Sequence, residues 1–405
     1  MKCQICSSDK THKFLSLGEQ PPSDRFLNEN QLNEFEPKFP LDLFFCEECK
    51  LVQLGHSADP KLLFTNTFVY TTGSSGELVK NFKALAEKLI QRFDLTENDL
   101  AIDIGSNDGT LLSNFLPFKI KVLGIDPSES AKLAAEKNVP TLREFFNEAT
   151  AKKILEQHGK ASVITATNVF AHVKELDSFM KGIKLLLKEK GVFIEESHYL
   201  AAMISKMEYD SIYAEHLRYY SLKPLIVLFE KYGMQVFDAE KISTHGGSLR
   251  VYVCLKNSFK VSTNVSIILE EEEKAGLYSK ETFFDFALRV KENKTKLLAL
   301  LSDLKNKGKK IVGIGAPAKG NTLLNYCEIG TDFLDYLAEK QNLKIGKFSP
   351  GMHLKVVEES AVFADQPDYA LLLAWNLKDI IVPKLKEKGF KGKFIVSNPE
   401  PHIIE

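Results

Sequence analysis

The feature that most constrains the fold is an alternation of apolar runs and amphipathic segments between residues 77 and 197. An amphipathic segment comes first, and four apolar runs follow it, separated by helical stretches: LAIDIG, KVLGID, ASVITATNVF and GVFIEES. Short apolar runs that alternate with helices indicate βαβ units, in which parallel strands are covered on both faces. The pattern therefore predicts an α/β domain built on a parallel sheet.

The first apolar run ends in a glycine-rich turn, DIGSNDG, which precedes a predicted helix in TLLSNFL. Glycine allows a ligand to approach the backbone, although the spacing is not the G-x-G-x-x-G that binds dinucleotides. The next run ends at Asp126, 21 residues after Gly105, which is the usual place for a carboxylate that binds ribose. Turn and carboxylate together predict a nucleoside-containing ligand, and a purely structural turn is the alternative.

Four of the six cysteines form two C-x2-C pairs, Cys3 with Cys6 and Cys46 with Cys49. Such pairs can supply the four thiolates of a tetrahedral zinc site, which leaves no position open for chemistry. Disulfides and unpaired thiols are the alternatives, but the N-terminal sequence lacks the apolar core of a signal peptide. We expect a structural zinc ion in a small, loop-rich module that is too short to build a large core.

A second α/β unit is predicted in the last third of the chain. A helical run from 270 to about 307 leads into the strand and turn KKIVGIGAPAKGNTLLNY, and apolar strands follow at 369–375 and 393–398. Backbone N–H groups at a helix start, together with one lysine, suit a diphosphate. The turn is not a P-loop, because Gly320 follows the lysine, and a helix start with a solvated lysine is the alternative. The candidate ligand-binding residues are Lys319 and Asn321, with Lys347, Ser349, His353, Trp375 and Asn376 as weaker ones.

The stretch DSIYAEHLRYYS, at residues 210–221, concentrates ionisable and phenolic side chains. Removing a proton from carbon beside a ketone requires a base that works near pH 7 and donors for the oxyanion that forms. His216 suits the first task, Glu215 can orient it, and Tyr213 can donate a hydrogen bond. A capping or core histidine is the alternative.

Composition excludes several classes of partner. The 405 residues carry 53 basic and 54 acidic side chains, so no excess charge favours nucleic acid or a membrane surface. No run approaches the roughly 18 apolar residues of a membrane span. We expect a cytoplasmic protein with a small-molecule partner and no nucleic-acid or membrane partner, as a monomer or weak homodimer.

The whole chain resembles the sugar C-methyltransferases that methylate C3 of nucleotide-linked 4-keto-deoxysugars with S-adenosylmethionine. The resemblance covers nearly the full length and rests on motifs in a fixed order: the cysteine module with LGEQPPSDRF, VYTTGSS, DIGSNDG, IDPS, TNVFAHV, IYAEH, HGGSLRVYV, GIGAPAKGNTLLN, FSPGMH and PDYALLLAWN. It implies an α/β protein with a small N-terminal zinc-binding module (1–66), a central class I, Rossmann-like methyltransferase domain (67–270) and a C-terminal Rossmann-like nucleotide-sugar domain (271–405).

The resemblance also implies roles for individual residues. His216 would be the base, and Tyr70, Tyr213 and Glu215 would surround the reacting sugar, which is linked to dTDP, GDP or CDP. The S-adenosylmethionine site would comprise Asp103, Gly105, Ser106, Asn107, Asp126, Pro127, Ser128, Phe145, Phe146, Asn168 and His172. Core packing is the alternative for the two phenylalanines, and His245 of the HGG turn would either approach the substrate or be internally satisfied.

Three positions depart from the family pattern. Ala214 stands where an acid is common, Glu-Glu-Ser-His198-Tyr replaces Glu-Asp-Pro-Tyr, and the second glycine turn reads Ala-Pro-Ala-Lys-Gly. His198 can enter the pocket and change which atom is methylated. An O- or N-methyltransferase, or a non-catalytic zinc-stabilised binding protein, therefore remain the alternative functions.

Overall fold

The computed structural model describes residues 1–63 and 71–405, without the side chains of residues 60, 61 and 74. Within these residues the strands form three sheets, one for each predicted region of the chain. No helix in this part of the chain combines the length and apolar character that crossing a membrane requires.

The N-terminal sheet is antiparallel and is more regular than the expected loop-rich module. It contains β1 (Thr11–Gln20), β2 (Phe39–Cys46) and β3 (Val52–Leu54), and a strand from the middle of the chain, β9 (Arg218–Tyr219), completes it. The alternation of β1 is hidden in the sequence because the pairing shifts register twice along this strand. A residue from outside the module also contributes to its hydrophobic core. The ring of Phe283 lies 4.7 Å from that of Phe45 and 5.2 Å from that of Phe14.

The central sheet has the predicted parallel strands. Its order is β10-β11-β8-β7-β4-β5-β6, and β11 runs antiparallel between β8 and β10. The strands are β4 (Leu100–Ile104), β5 (Lys121–Ile125), β6 (Thr141–Leu142), β7 (Ala161–Thr167), β8 (Leu187–His198), β10 (Met234–Ile242) and β11 (Ser248–Leu255). The carboxyl ends of β4, β5, β7 and β8 lie along one edge, where open α/β sheets bind ligands.

The C-terminal sheet has the order β14-β13-β12-β15-β16-β17 and is parallel except for the edge strand β17. Its strands are β12 (Ile311–Ile314), β13 (Leu337–Glu339), β14 (Val356–Glu358), β15 (Tyr369–Leu372), β16 (Lys393–Val396) and β17 (His402–Ile404). The second glycine turn follows β12 directly, as the sequence predicts.

The helices cover the sheets. They are α1 (Pro60–Leu63), α2 (Gly76–Arg92), α3 (Glu148–His158), α4 (Leu176–Leu186), α5 (Leu200–Ser205), α6 (Leu222–Lys231), α7 (Thr263–Lys274), α8 (Lys280–Asn306), α9 (Ala318–Cys327), α10 (Ala361–Asp365) and α11 (Lys378–Glu387). In α2, the side chain of Ser75 accepts a hydrogen bond from Leu78 N at the helix start, and the apolar face from Leu78 to Ile90 is buried.

Two predicted helices differ from the structure. TLLSNFL forms two short 3-10 turns, Leu112–Asn114 and Leu116–Phe118, because Pro117 cannot continue a helix. The long run after residue 270 is the end of α7 and then α8, which are separated by a turn in which Gly276 has φ +74°. The predicted domain boundary at 270 falls inside α7, whose Val265 and Ile268 belong to the core of the central domain.

Candidate active site and metal centre

The four paired cysteines converge on one point. Their Sγ atoms all lie within 4.8 Å of one another, with 3.4 Å between Cys3 and Cys49 and 3.6 Å between Cys6 and Cys46. A tetrahedral ion with Zn–S bonds of about 2.3 Å requires S–S separations of about 3.8 Å, so the cluster fits zinc. Burial raises the pKa of Cys46 to about 11 in the absence of a cation, and a bound metal ion reverses this by stabilising the thiolate.

The metal-binding module supports the segment that contains the candidate catalytic residues. Strand β3 pairs with β9, so that Val52 lies opposite Tyr219, and Leu54 N donates a hydrogen bond to Leu217 O at 2.9 Å. On the other side of β3, β2 ends at Cys46. The hydrogen-bonded strands β2, β3 and β9 therefore connect the cysteine ligand Cys46 to the segment that contains His216.

The first glycine turn forms a tight cradle at the end of β4. Gly105 has φ +72°, and a Cβ atom there would lie 2.1 Å from Cγ2 of Val169. The Asp126 carboxylate accepts hydrogen bonds from Asn107 N at 2.9 Å and from Ser128 N at 2.8 Å. Burial and the negative charge of Asp126 raise the pKa of Asp103 to about 7. A backbone cradle beside a fixed carboxylate fits an adenosyl group.

The remaining residues predicted to surround the cofactor differ in their burial and in their contacts. Phe145 is exposed, whereas the ring of Phe146 packs edge-on at 5.0 Å against Phe179 in the core, as the core-packing alternative expects. Asn168 takes a left-handed conformation with φ +57° directly after β7. Nδ1 of His172 lies 2.6 Å from Glu215 O. The predicted positions Ser106 and Pro127 flank the same two strand ends, the first buried and the second exposed.

His216 occupies a fixed orientation in the segment that precedes β9. Its Nδ1 lies 3.1 Å from Ser211 O and its Nε2 lies 3.0 Å from the Tyr213 hydroxyl. Because a carbonyl only accepts, Nδ1 carries the proton and Nε2 accepts from the phenol. Burial, with the positive charge of His172 second, holds the pKa of His216 well below 6.5. The ring is therefore neutral, and its basic nitrogen is Nε2.

Among the described residues, the Glu215 carboxylate makes no hydrogen bond to His216. Its Oε1 accepts hydrogen bonds from the backbone N and the hydroxyl of Ser23, at 3.0 and 3.2 Å. Burial and the nearby charge of Asp24 raise the pKa of Glu215 to about 7. The carbonyl of Ser23 in turn accepts from Nδ2 of Asn321, at 2.7 Å. One residue of the N-terminal module thus joins the other two domains, and only the quoted motif LGEQPPSDRF pointed to it.

Lys319 lies among carboxylates. Its Nζ is 3.6 Å from Glu208 Oε2 and 3.9 Å from Asp210 Oδ1, and it stands 4.8 Å above the centre of the Trp375 ring. Asp210 also accepts a hydrogen bond from Trp375 Nε1 at 2.7 Å. The sequence singled out Lys319 and Trp375, but it gave no signal that buried Glu208 would face them.

The other residues predicted to bind substrate are distributed around this interface. Nε2 of His353 lies 3.2 Å from Oε2 of Glu36 of the N-terminal module. Lys347 precedes Phe348, which bridges to Leu27, and Asn376 lies in a 3-10 turn next to Trp375. Two further predicted residues are the buried Ser349 and the exposed His245, and Tyr70 lies outside the described residues.

A carboxylate that the sequence did not single out ends β13. Oε2 of Glu339 accepts a hydrogen bond from Ala316 N at 2.7 Å, and Oε1 accepts from Gln341 N at 3.1 Å. Asp126 has the same relation to the first glycine turn, with one oxygen on the turn and one on the backbone two residues later. The C-terminal domain therefore repeats the arrangement that α/β folds use for a ribose.

Three family models match this chain in order. They are described as “Putative zinc binding domain” over residues 3–64, “Methyltransferase domain” over 79–239 and “C-methyltransferase C-terminal domain” over 243–399. The C-methyltransferase NovU of Streptomyces niveus is 31% identical over 408 aligned positions, which cover 100% of this chain and 96% of NovU.

A solved S-adenosylmethionine-dependent methyltransferase from Clostridium acetobutylicum is 16% identical and covers 44% of this chain and 92% of its own. Its TM-score of 0.35 is too low to indicate a shared function. The three ordered domains and the full-length match to NovU show that the chain belongs to the S-adenosylmethionine-dependent C-methyltransferases with an N-terminal zinc-binding domain.

Proposed function

We propose that this enzyme methylates C3 of a nucleotide-linked 4-keto-deoxysugar, with His216 as the base that removes the C3 proton. The observation that carries the proposal is the state of His216, a neutral imidazole whose Nε2 is the basic atom. Methylation of carbon requires that a C–H proton leave first, and a neighbouring ketone makes this possible because it accepts the electron pair as an enolate.

The surroundings of His216 support this role. The hydrogen bond from Nδ1 to Ser211 O fixes the ring, so that Nε2 points towards the Tyr213 hydroxyl. Burial keeps the pKa of Tyr213 well above 10, so the phenol stays protonated and donates to Nε2 in the resting enzyme. A substrate C–H group that takes the place of this phenol meets an unprotonated nitrogen.

The residues at the first glycine turn suit the methyl donor. Gly105, Asn107 and Asp126 would hold S-adenosylmethionine, which supplies a methyl group on a positively charged sulfur. The turn closes against a second segment, because Asn107 Oδ1 accepts from Thr72 N and Asp108 Oδ2 accepts from Gly73 N, both at 2.9 Å.

The C-terminal domain supplies a place for the nucleotide. Gly315 has φ +82° at the start of the second turn, and Glu339 is fixed beside it by Ala316 N. The start of α9 offers backbone N–H groups to a diphosphate. Lys319 is engaged by Glu208 and Asp210, so these backbone groups rather than its charge are the candidates for phosphate binding.

Hydrogen exchange at the sugar carbon tests the proposal. With a panel of dTDP-, GDP- and CDP-linked 4-keto-6-deoxysugars in D2O and no methyl donor, we expect deuterium to enter C3. His216→Asn should slow this exchange and methyl transfer by about 10²- to 10⁴-fold, the usual contribution of a general base.

The control is S-adenosylmethionine binding by thermal shift, which His216→Asn should leave intact because the glycine turn is unchanged. Methyl transfer to oxygen or nitrogen without any C3 exchange in the wild type would replace the proposal with the O- or N-methyltransferase alternative. Exchange that persists in His216→Asn would assign the base to another residue.

A further inference from the structure

A group of polar side chains that the proposed proton transfer does not use lies between the central and C-terminal domains. We call His198, Glu208, Asp210, Lys319 and Trp375 the interdomain cluster. His198 ends β8, and its Nε2 lies 3.1 Å from Glu208 Oε2, while Lys319 Nζ lies 3.6 Å from the same oxygen. One carboxylate oxygen of Glu208 therefore lies close to two nitrogen groups that come from different domains.

The cluster has a buried side and an open side. The side chains of Glu208 and Asp210 are 0% exposed, whereas those of His198 and Lys319 keep 14% and 15% of their surface. A Cβ on Gly246 would lie 2.5 Å from Glu208 Oε1, so the HGG turn closes off the carboxylate from behind. A ligand in the cleft can therefore reach the two nitrogen groups but not the carboxylates.

The cluster adjoins His216, because Nδ1 of His216 lies 3.1 Å from the carbonyl oxygen of Ser211, the residue that follows Asp210. Among the causes that keep the pKa of His216 low, after burial and His172, are the charges of His198 and His245. Residues 208–216 therefore carry both the carboxylates of the cluster and the proposed base.

The charge balance of the cluster selects the kind of ligand atom. Burial alone would raise the pKa of Glu208, but contacts with His198 and Lys319 outweigh it and lower the pKa, so Glu208 is ionised. Glu208 and Asp210 balance the charges of Lys319 and of a His198 with a proton on each ring nitrogen, so the cluster has no excess positive charge for a diphosphate with two negative charges. A neutral carbonyl oxygen that gains negative charge only during the reaction fits better.

We propose that His198 and Lys319 donate hydrogen bonds to the ketone oxygen of the substrate and stabilise the enolate, and that Glu208 positions both donors. The inference rests on the proposed function. Nε2 of His198 faces Glu208 at 3.1 Å and leaves Nδ1 for the ligand, a role that needs a proton on each ring nitrogen, and Lys319 has three N–H donors. His198 belongs to the segment Glu195–Tyr199, which departs from the family pattern.

Proton removal from C3 produces an enolate. His216 Nε2 takes the proton from C3, the C–H electron pair forms the C3–C4 double bond, and the carbonyl π pair moves to the ketone oxygen. The N–H groups of His198 and Lys319 face the negative charge that forms there. The C3–C4 π pair would then bond to the methyl carbon of S-adenosylmethionine while the S–CH3 bond breaks and leaves its electron pair on sulfur, so that S-adenosylhomocysteine departs. The oxygen pair would return to C4 and restore the ketone.

The test compares His198→Leu, which removes the donor, with His198→Asn, whose amide nitrogen can take the place of Nδ1. Exchange of the C3 hydrogen in D2O without methyl donor is measured with the substrate found in the same NDP-sugar panel, at saturating concentration. We expect exchange to fall about 10²- to 10³-fold in His198→Leu, as for the loss of one oxyanion donor, and to recover at least tenfold in His198→Asn.

Binding of free dTDP, GDP and CDP and of S-adenosylmethionine should stay within about threefold of wild type in both variants, because the inference places no phosphate or cofactor on His198. Loss of nucleoside diphosphate affinity with unchanged exchange would make the cluster a phosphate site and overturn the inference. Unchanged exchange and binding in His198→Leu would overturn it as well. Absence of exchange in the wild type would overturn the proposed function, and this inference with it.

Discussion

At the scale of single residues, the segment Tyr213–His216 contains one contact that the sequence predicts and one that it does not. Tyr213 and His216 are three positions apart in a turn, so their contact at 3.0 Å follows from local geometry. Glu215 and His216 are adjacent, and adjacent side chains point in different directions. The partner of Glu215, Ser23, is 192 residues away, and no periodicity in the sequence reveals such a contact.

The raised pKa of Glu215 predicts a pH-dependent stability. The pKa moves from 4.5 to about 7 on folding, so the folded protein binds more protons than the unfolded chain between these values. The contribution of Glu215 to the free energy of unfolding is fully present below about pH 4.5. It is lost as pH rises through 7, which lowers the free energy of unfolding by about 3 kcal/mol at most. Glu215→Gln keeps an acceptor for Ser23. The difference in melting temperature between this variant and wild type should therefore shift in favour of the variant as pH rises from 5 to 8, because only wild type loses stability through Glu215.

The measurement is a series of thermal melts across that range, with Glu156→Gln on the exposed face of α3 as the control. The control should follow wild type at every pH. A constant difference between Glu215→Gln and wild type from pH 5 to 8 would show that Glu215 is ionised throughout, contrary to the expectation.

At the scale of secondary-structure elements, the strands of the two α/β domains were predictable because they are continuous apolar runs with glycine turns after them. The N-terminal strands were not, because the bulges in β1 break its alternation and because β9 reaches the sheet from residue 218. The 3-10 turns around Pro117 were missed for a local reason, since proline overrides a helical pattern.

The strand-to-turn junction at Gly105 supports a matched comparison. Gly105→Ala introduces a Cβ that would lie 2.1 Å from Val169, at φ +72°, whereas Gly308→Ala has nearly the same φ, +69°, and open space around the new atom. We expect both to lose about 1–2 kcal/mol of stability from the left-handed backbone. Only Gly105→Ala should lose the thermal shift with S-adenosylmethionine, because only there must the turn move.

Calorimetric titration with S-adenosylmethionine checks this result directly. Equal affinities in Gly105→Ala and Gly308→Ala would remove the first glycine turn from the proposed cofactor site. Reduced affinity in both would assign the effect to general destabilisation.

At the scale of the whole molecule, the zinc-binding domain is part of the architecture of the site. It contributes β3 to the sheet that contains β9, Ser23 to Glu215 and Asn321, and Glu36 to His353. The sequence predicted a metal-binding module from its cysteine spacing. It did not predict that this module contacts both other domains, because such contacts depend on shape rather than on pattern.

Removal of the metal should therefore affect catalysis as well as stability. Cys46→Ser is expected to lower zinc from about one ion per chain to nearly none and to reduce kcat, because β2 and β3 no longer hold β9. Cys254→Ser changes a buried thiol outside the cluster and should keep both zinc and activity.

Metal analysis and steady-state rates at saturating S-adenosylmethionine provide the measurement, with circular dichroism to establish that the central domain remains folded. Full activity in zinc-free Cys46→Ser would show that the module does not support the catalytic segment. An iron signal in the wild type would replace zinc as the resident metal.

The position of Ser23 has a consequence for biosynthesis. Its partners Glu215 and Asn321 follow it by 192 and 298 residues, so a growing chain displays the loop around Ser23 long before either partner leaves the ribosome. The N-terminal domain can acquire its metal early, but the reaction centre assembles only when most of the polypeptide has been made. Nascent or truncated chains that end before α9 are consequently unable to turn over substrate, whatever their zinc content.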